Sequence, residues 1–320
     1  MSEPVVVHVA PTPRQCAALV ALLVLLIVIP ATMTLRMVKA PGTLVVSTSD
    51  PTPFGYTVSL SLFMVPIAAI AFWLFPKEGL QMPRQAFWLT MGILVPLGCG
   101  LDFFFAFRFF VFNNVGATLG IEAPAVGGTV PIEEYVFYVT GFLTALLLYI
   151  WADEYWLKAY QVPERPEGPL VRWHWTSVIL GVFLIVAAIV FKKAIGAPGF
   201  PGYFTFIVLL SFVPSSLFMP VACPAINWRA FSATLFFTVL VALLWEVTLA
   251  APYQWWGYQH DQMLGIYIKG WSGLPVEAVL VWISLTYSTV IWFHMIKQWL
   301  LDRDQRVQLS GTAVVTAGGR

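Results

Sequence analysis

The chain reads as all-α: a polytopic membrane protein of about eight transmembrane helices in two parallel four-helix pseudo-repeats. Three observations predict this. First, 59% of the 320 residues are hydrophobic and only 10% are charged, whereas a soluble domain carries about 25% charged residues. Second, eight apolar runs, at 15–36, 57–76, 86–107, 131–152, 174–191, 203–220, 230–251 and 275–298, are near the ~20 residues that cross a hydrocarbon core as a helix. Third, an acidic frame recurs. Asp102 lies 29 residues before Pro131-Ile132-Glu133-Glu134, Glu246 lies 29 before Pro275-Val276-Glu277, and the offset between the frames is 144.

The first run follows about a dozen polar residues with no convincing signal-peptide cleavage site, so it is expected to be a retained helix. The second carries a mid-run Val65-Pro66, and the third ends near Asp102. A loop with Gly120-Ile121 then leads to the Pro-x-Glu-Glu start of the fourth. Residues 153–173 form the most polar internal stretch and divide a first repeat, 1–157, from a second, 158–301. The fifth run is short, and the sixth holds Val213-Pro214. The seventh ends near Glu246, a loop with Gly265-Ile266 comes next, and the eighth opens on Pro275. Turn residues join the runs at Pro41-Gly42, Pro51-Thr52-Pro53, Pro163 to Pro169 and Pro198 to Pro201. Residues 302–320 lose the apolar periodicity and are expected to be a disordered tail.

An even number of helices per half makes the repeats parallel, related by an axis along the membrane normal. Both motif loops then lie on one side, and Asp102, Glu133, Glu246 and Glu277 can face a shared cavity. With the N-terminus inside, eleven Lys and Arg fall on the cytoplasmic side and six outside, of a total of 17. That excess places both termini in the cytoplasm, and in a bacterium the chain belongs in the inner membrane.

Several classes are excluded. A net charge of +1 offers nothing to nucleic acid. Cys16, Cys99 and Cys223 are scattered, with neither disulfide nor metal spacing. His8, His174, His260 and His294 form no His-x-x-His pattern, which argues against a di-iron membrane oxygenase. No Asp-rich helix motif suits Mg²⁺-assisted diphosphate ionisation, and no Gly-x-Gly-x-x-Gly follows a strand. No metal and no cofactor are expected.

The candidate catalytic residues are Glu133, Glu134, Glu277, Asp102 and Glu246. A charge inside a bilayer costs at least a few kcal/mol, so an intramembrane acid is a functional candidate. The plain alternatives are helix capping by Pro-x-Glu and a structural Asp102–Arg108 pair. Aromatic residues make up 16% of the chain and crowd the acids. Phe105, Tyr135, Phe137, Trp245, Trp256 and Tyr258 are the candidate substrate-binding residues, with an interfacial aromatic belt as the alternative. Buried acids inside aromatic walls are what proton-initiated polyene chemistry needs. A protonated carboxyl delivers the proton, ring faces stabilise the cation, and a carboxylate removes a proton later. Which carboxyl is acid and which is base stays open: a helix N-terminus favours the charged form and burial disfavours it.

An intramembrane acid, an aromatic stretch with Gly-Ile, and Pro-(Ile/Val/Leu)-Glu-Glu opening an aromatic helix resemble, twice over, the lycopene cyclase domain family. The matching residues are Asp102, Gly120-Ile121 and Pro131 to Tyr138, then Glu246, Trp256, Tyr258, Gly265-Ile266 and Pro275-Val276-Glu277, within about 55–150 and 200–300. Ala278 stands where a second acid would repeat, and Glu246 where Asp102 would. The resemblance implies redox-neutral cyclisation of the linear ends of a carotenoid such as lycopene, with the lipid bilayer and other carotenoid enzymes as partners. Two other classes fit parts of the pattern: a proton-coupled transporter, whose acids should lie near helix middles, and another isoprenoid-modifying enzyme such as a prenyl transferase.

Overall fold

The computed structural model describes residues 52–80, 82–162 and 175–317, with side chains to Val307. Among these, seven helices are long and apolar enough to cross a membrane: α1 (Gly55–Lys77), α2 (Arg84–Phe109), α3 (Ile132–Trp156), α4 (Trp175–Ala194), α5 (Gly202–Ala222), α6 (Trp228–Ala250) and α7, whose spanning part is Val276–Val307. They coincide with the second to eighth apolar runs. The first run, 15–36, and most of the polar divider, 163–173, lie outside the described residues. The chain is an integral, multi-pass membrane protein, and bulky side chains such as Phe72, Trp73, Ile179 and Phe183 on the outer faces are more than three-fifths exposed, as suits surface facing hydrocarbon.

Prolines sit inside the helices at Pro66, Pro96 and Pro220. Each removes a backbone N–H, which membrane helices tolerate through neighbouring helices and local π adjustment. Wider π turns lie close to two Val-Pro steps, at Ala69–Leu74 in α1 and Ile207–Phe212 in α5. Pro131 proves to be the cap of α3 rather than its first helical residue, so Glu133 and Glu134 fall in the first turn. Asn227 caps α6 by accepting the Ala230 N–H at 3.2 Å.

α3 and α7 form the centre. α3 packs on α1, α2, α6 and α7, and α7 packs on α2, α3, α5 and α6. α4 is the least buried span and leans on α5. The motif loops interlock on one side of the bundle. β1 (Phe110–Val111), after α2, pairs antiparallel with β4 (Gly257–Tyr258), after α6, in the register Phe110↔Tyr258. Each loop also makes its own hairpin: β2 (Glu122–Ala125) with β3 (Gly128–Pro131), and β5 (Tyr267–Ile268) with β6 (Leu274–Pro275). Gly127, at φ +99°, takes the turn between β2 and β3.

One expectation is corrected at the C-terminus. α7 continues as helix to Ala317, well into the stretch expected to be disordered. Just after Leu301 the segment holds the helix formers Arg303, Gln305 and Arg306, and Arg306 pairs with Asp302 at 2.7 Å one turn away. Residues 318–320 lie outside the described residues.

Candidate functional site

Where α2, α3, α6 and α7 meet below the motif loops, five buried carboxyls take distinct places. Asp102 is fully buried, and its Oδ1 accepts the Tyr138 hydroxyl at 3.4 Å. Arg108 is exposed, so the Asp102–Arg108 pairing does not form. Instead, Asp102 faces the carboxyl of Glu134, and Glu134 in turn faces the hydroxyl of Tyr56. Asp102 Oδ2 and Glu134 Oε1 are buried with no hydrogen-bond partner among the described residues. Such atoms are costly to leave unpaired and mark a place where a proton, a water or a ligand group belongs.

Glu246 is held differently. Its Oε1 accepts the Trp282 indole N–H at 2.8 Å and its Oε2 the Tyr258 hydroxyl at 2.7 Å. Two donors on two oxygens is the arrangement a carboxylate makes as acceptor. Burial and the adjacent Glu246 push the Tyr258 phenol well above its ordinary pKa, so it remains a donor.

Glu133 and Glu277 turn toward the motif loops. Glu133 Oε1 accepts the Leu119 N–H at 2.7 Å and the Thr57 hydroxyl at 2.5 Å. Glu277 Oε1 accepts the Leu264 N–H. Each acid therefore fastens the residue before a left-handed glycine, Gly120 or Gly265. In each loop the residue after that glycine closes a backbone bond to the helix start: Ile132 N–H to Ile121 O at 2.9 Å, and Val276 N–H to Ile266 O at 3.0 Å. Lys192 adds a cationic clamp, donating to the carbonyls of Asp261 and Met263, each at 2.5 Å.

A cavity of ≈ 40 Å³ lies between Glu134 and Glu246, room for about three or four waters at about 10–15 Å³ each. Its walls include Tyr56, Phe137, Tyr138, Tyr203, Trp256 and Trp282. The rings pack on one another: Phe137 on Trp245 with centroids 5.3 Å apart, Trp245 on Trp256 at 4.7 Å, Tyr56 on Trp256 at 5.0 Å. On its loop side, a wider opening of ≈ 570 Å³, lined by polar residues including Asn113, Gln254, Gln259 and His260, also touches Glu246, Trp256 and Tyr258. Glu246 thus borders both spaces. At the rim, His260 Nδ1 is paired with the Tyr267 hydroxyl at 2.7 Å rather than with Asp261.

Of the substrate-binding candidates, Phe137, Trp245, Trp256 and Tyr258 line the cavity. Phe105 stands outside it, 38% exposed and stacked on Phe109. Tyr135 donates to Pro124 O at 2.6 Å and secures the β2–β3 hairpin. Of the acids, Glu134 and Glu246 line the cavity, and Asp102 sits behind Tyr138 and Glu134. Sequence reasoning missed Tyr56 and Tyr203. A signal existed: each follows a glycine at the start of α1 or α5, as Gly55-Tyr56 and Gly202-Tyr203, ahead of a Val-Pro. No group of three or more His, Cys, Asp or Glu placed to hold a metal ion occurs among the described residues. Comparison of the chain with protein-family models, with curated proteins and with solved structures gives no match.

Proposed function

We propose that this membrane protein cyclises the acyclic end of an isoprenoid polyene, in the manner of the carotenoid cyclases its motifs resemble, without net oxidation or reduction. The observation that carries the reading is the facing pair Asp102 and Glu134 at the edge of a cavity walled by aromatic rings, inside the membrane-spanning bundle. Two carboxyls facing each other away from water share one proton more readily than they carry two charges. That proton is the one the reaction needs.

The chemistry balances within the substrate. A carboxyl O–H of the pair gives its proton to the terminal double bond of the polyene, a C–H bond forms, and a tertiary cation results. A neighbouring double bond attacks it, closing a six-membered ring. Loss of an adjacent C–H proton to a carboxylate restores a double bond and the resting pair, so the product is an isomer of the substrate. Phe137, Trp245, Trp256 and Trp282 present ring faces and edges around the cavity, and a ring face over a cation contributes about 0.5–2 kcal/mol. Glu246, anchored by Tyr258 and Trp282, holds two acceptor oxygens in fixed positions opposite the pair. Its second border, on the polar opening, gives the cavity proton exchange with water.

The two-repeat architecture belongs to the same proposal: α1 to α3 fall in one repeat, α4 to α7 in the other. Its support is the recurrence of contacts. Glu133 to Leu119 recurs as Glu277 to Leu264, and Asp102 to Tyr138 recurs as Glu246 to Trp282.

The test is expression in a host that accumulates lycopene, with product analysis. The wild-type chain should yield ringed pigment, and Glu134→Gln and Asp102→Asn should leave it linear. Ring formation unchanged in both variants overturns the assignment; a wild-type chain that leaves every acyclic polyene untouched overturns the activity.

A further inference from the structure

The acid cavity is too small for a ring to form in it as it stands, and it adjoins a second space. A groove of ≈ 300 Å³ runs between α2 and α5, with α7 as its back wall. Pockets that take small molecules begin at about this size. Leu97 on α2 and Leu210 on α5, 56% and 57% exposed, stand at its lipid-facing mouth. Towards the motif loops it is shut by Phe105 and Phe109 packed on Phe206, with centroids 5.6 and 5.8 Å apart. Its inner end is formed by Tyr138, Val281 and Leu285, the same three side chains that wall the acid cavity. These shared side chains form the partition between the groove and the acid cavity that Glu134 lines.

The groove suits an apolar occupant. Its serines are already satisfied: Ser211 with Ser288 at 2.7 Å, Ser215 with Ser288 at 2.8 Å, and Ser284 donating to Val281 O at 3.0 Å. Such hydroxyls join helices in lipid and ask nothing of a ligand. Within the partition, Tyr138 is tied to Asp102 by the longest bond these acids make, at 3.4 Å, and Val281 and Leu285 are apolar. The π turn Ile207–Phe212 shapes the outer wall, and such turns recur at functional sites.

The corresponding slot between α6 and α1 is filled. Where α2 has Leu101, α6 has Trp245, 144 residues on. Its ring lies 5.2 Å from Phe63, Phe63 stacks on Trp282 at 5.6 Å, and the Trp245 N–H is tied to Ser59 at 2.8 Å. All three rings are about 1% exposed.

We infer that the groove between α2 and α5 is a binding site for one end of a long, acyclic, apolar chain taken directly from the bilayer, and that the Trp245–Phe63–Trp282 stack closes the opposite slot, so a chain reaches the acids from one side only. The chain end displaces the Tyr138–Leu285 partition while its remaining length stays in lipid. Ends are consequently served one at a time. The identity of the chain as a polyene rests on the cyclase reading; the groove and its sidedness rest on geometry alone.

The experiment photolabels the full-length protein in lipid nanodiscs with a geranylgeranyl hydrocarbon bearing a diazirine at one end, in parallel with product analysis in the lycopene-making host. Label should concentrate on residues 94–101 and 206–215, persist in Glu134→Gln, and be lost in Leu97→Trp and in Leu210→Trp, which block the mouth from opposite walls. Should one blocked variant fail to fold, the other still decides. Ile179→Trp, on the outer face of α4, should label and turn over as wild type. Trp245→Ala should add label on 59–67 and 238–245. Label spread evenly over all lipid-facing helices, or full labelling in both blocked variants, overturns the groove whatever the products are. Groove labelling with no ringed product upholds the groove and sinks the cyclase reading.

Discussion

Trp282 donates its indole N–H to Glu246 over 2.8 Å, and the donor follows the acid by 36 residues. Tyr138 follows Asp102 by the same 36 and donates at 3.4 Å. One position in the repeat thus carries two kinds of donor. An indole gives a hydrogen bond and nothing more, whereas a phenol both donates and accepts. The short, fully buried Trp282–Glu246 contact is the tighter of the two, and the long Tyr138–Asp102 contact is the looser one; under the proposed cyclisation the looser donor is the one beside the proton-carrying pair.

Replacing these donors should therefore separate stability from activity. Trp282→Phe leaves Glu246 Oε1 without its donor and should cost about 1–3 kcal/mol, seen as a lower Tm in detergent. Tyr138→Phe should change the Tm less and lower ring formation more. Equal losses in both readouts for both variants would contradict this division.

Glu133 and Glu277 are expected to act through the loops they hold. Glu133→Ala removes the acceptor of the Leu119 N–H, and Glu277→Ala that of the Leu264 N–H. Amide hydrogen exchange should quicken at Leu119 in the first variant and at Leu264 in the second, each with a stability loss of about 1–3 kcal/mol. Protection left intact at both amides would remove the loop-holding role.

Gly98 on α2 gives the closest passage beside the acids. A Cβ there would stand 2.8 Å from the rings of both Phe142 and Tyr138. Gly98→Ala must push Tyr138 away from Asp102, at a cost of about 1–3 kcal/mol for overpacking. Ring formation should fall, while Gly100→Ala, whose Cβ meets nothing within 4 Å, should behave as wild type.

Tyr258 predicts an alkaline limit. Burial first, and then the neighbouring Glu246, hold its phenol neutral above its ordinary range. The folded-state pKa is raised, so this contribution to stability is fully present below the unfolded value of about 10 and is lost as pH rises through the folded value. Melting temperatures taken upward from pH ~9 should decline in wild type and decline less steeply in Tyr258→Phe. Tyr267, raised by partial burial and then by Glu277, should add a smaller part to the same limb.

Much of the architecture is written in composition, because hydrocarbon admits few solutions: an apolar run near 20 residues long becomes a helix, and seven runs do so here. The position of the acids was equally legible, since a carboxylate in such a run stands out against its surroundings. Their division of labour was not. Glu133 and Glu134 are consecutive and about 100° apart on the helix, so one meets Leu119 and the other meets Asp102. Only the path of the loop decides which. Tyr56 and Tyr203 escaped notice because an aromatic in an apolar run has no contrast, although the repeated Gly-Tyr step was present. The helical tail to Ala317 was missed because loss of apolar periodicity reports exposure, not loss of helix.

The wide turn Glu246–Ala250 explains a small irregularity in the spacing of the halves. Ala251 N–H reaches back five residues, to Glu246 O at 2.9 Å, whereas Phe110 at the end of α2 reaches back four, to Ala106. From Asp102 to Glu246 the offset is 144, yet from Gly120 to Gly265 it is 145. The wider winding at this turn takes up one residue more than the corresponding hydrogen-bonded turn at the end of α2. Excising a single residue from 247–250 should restore the tighter winding and bring the two offsets into agreement, swinging the loop beyond Ala250 by roughly a quarter turn and pulling Tyr258 off the carboxylate it steadies.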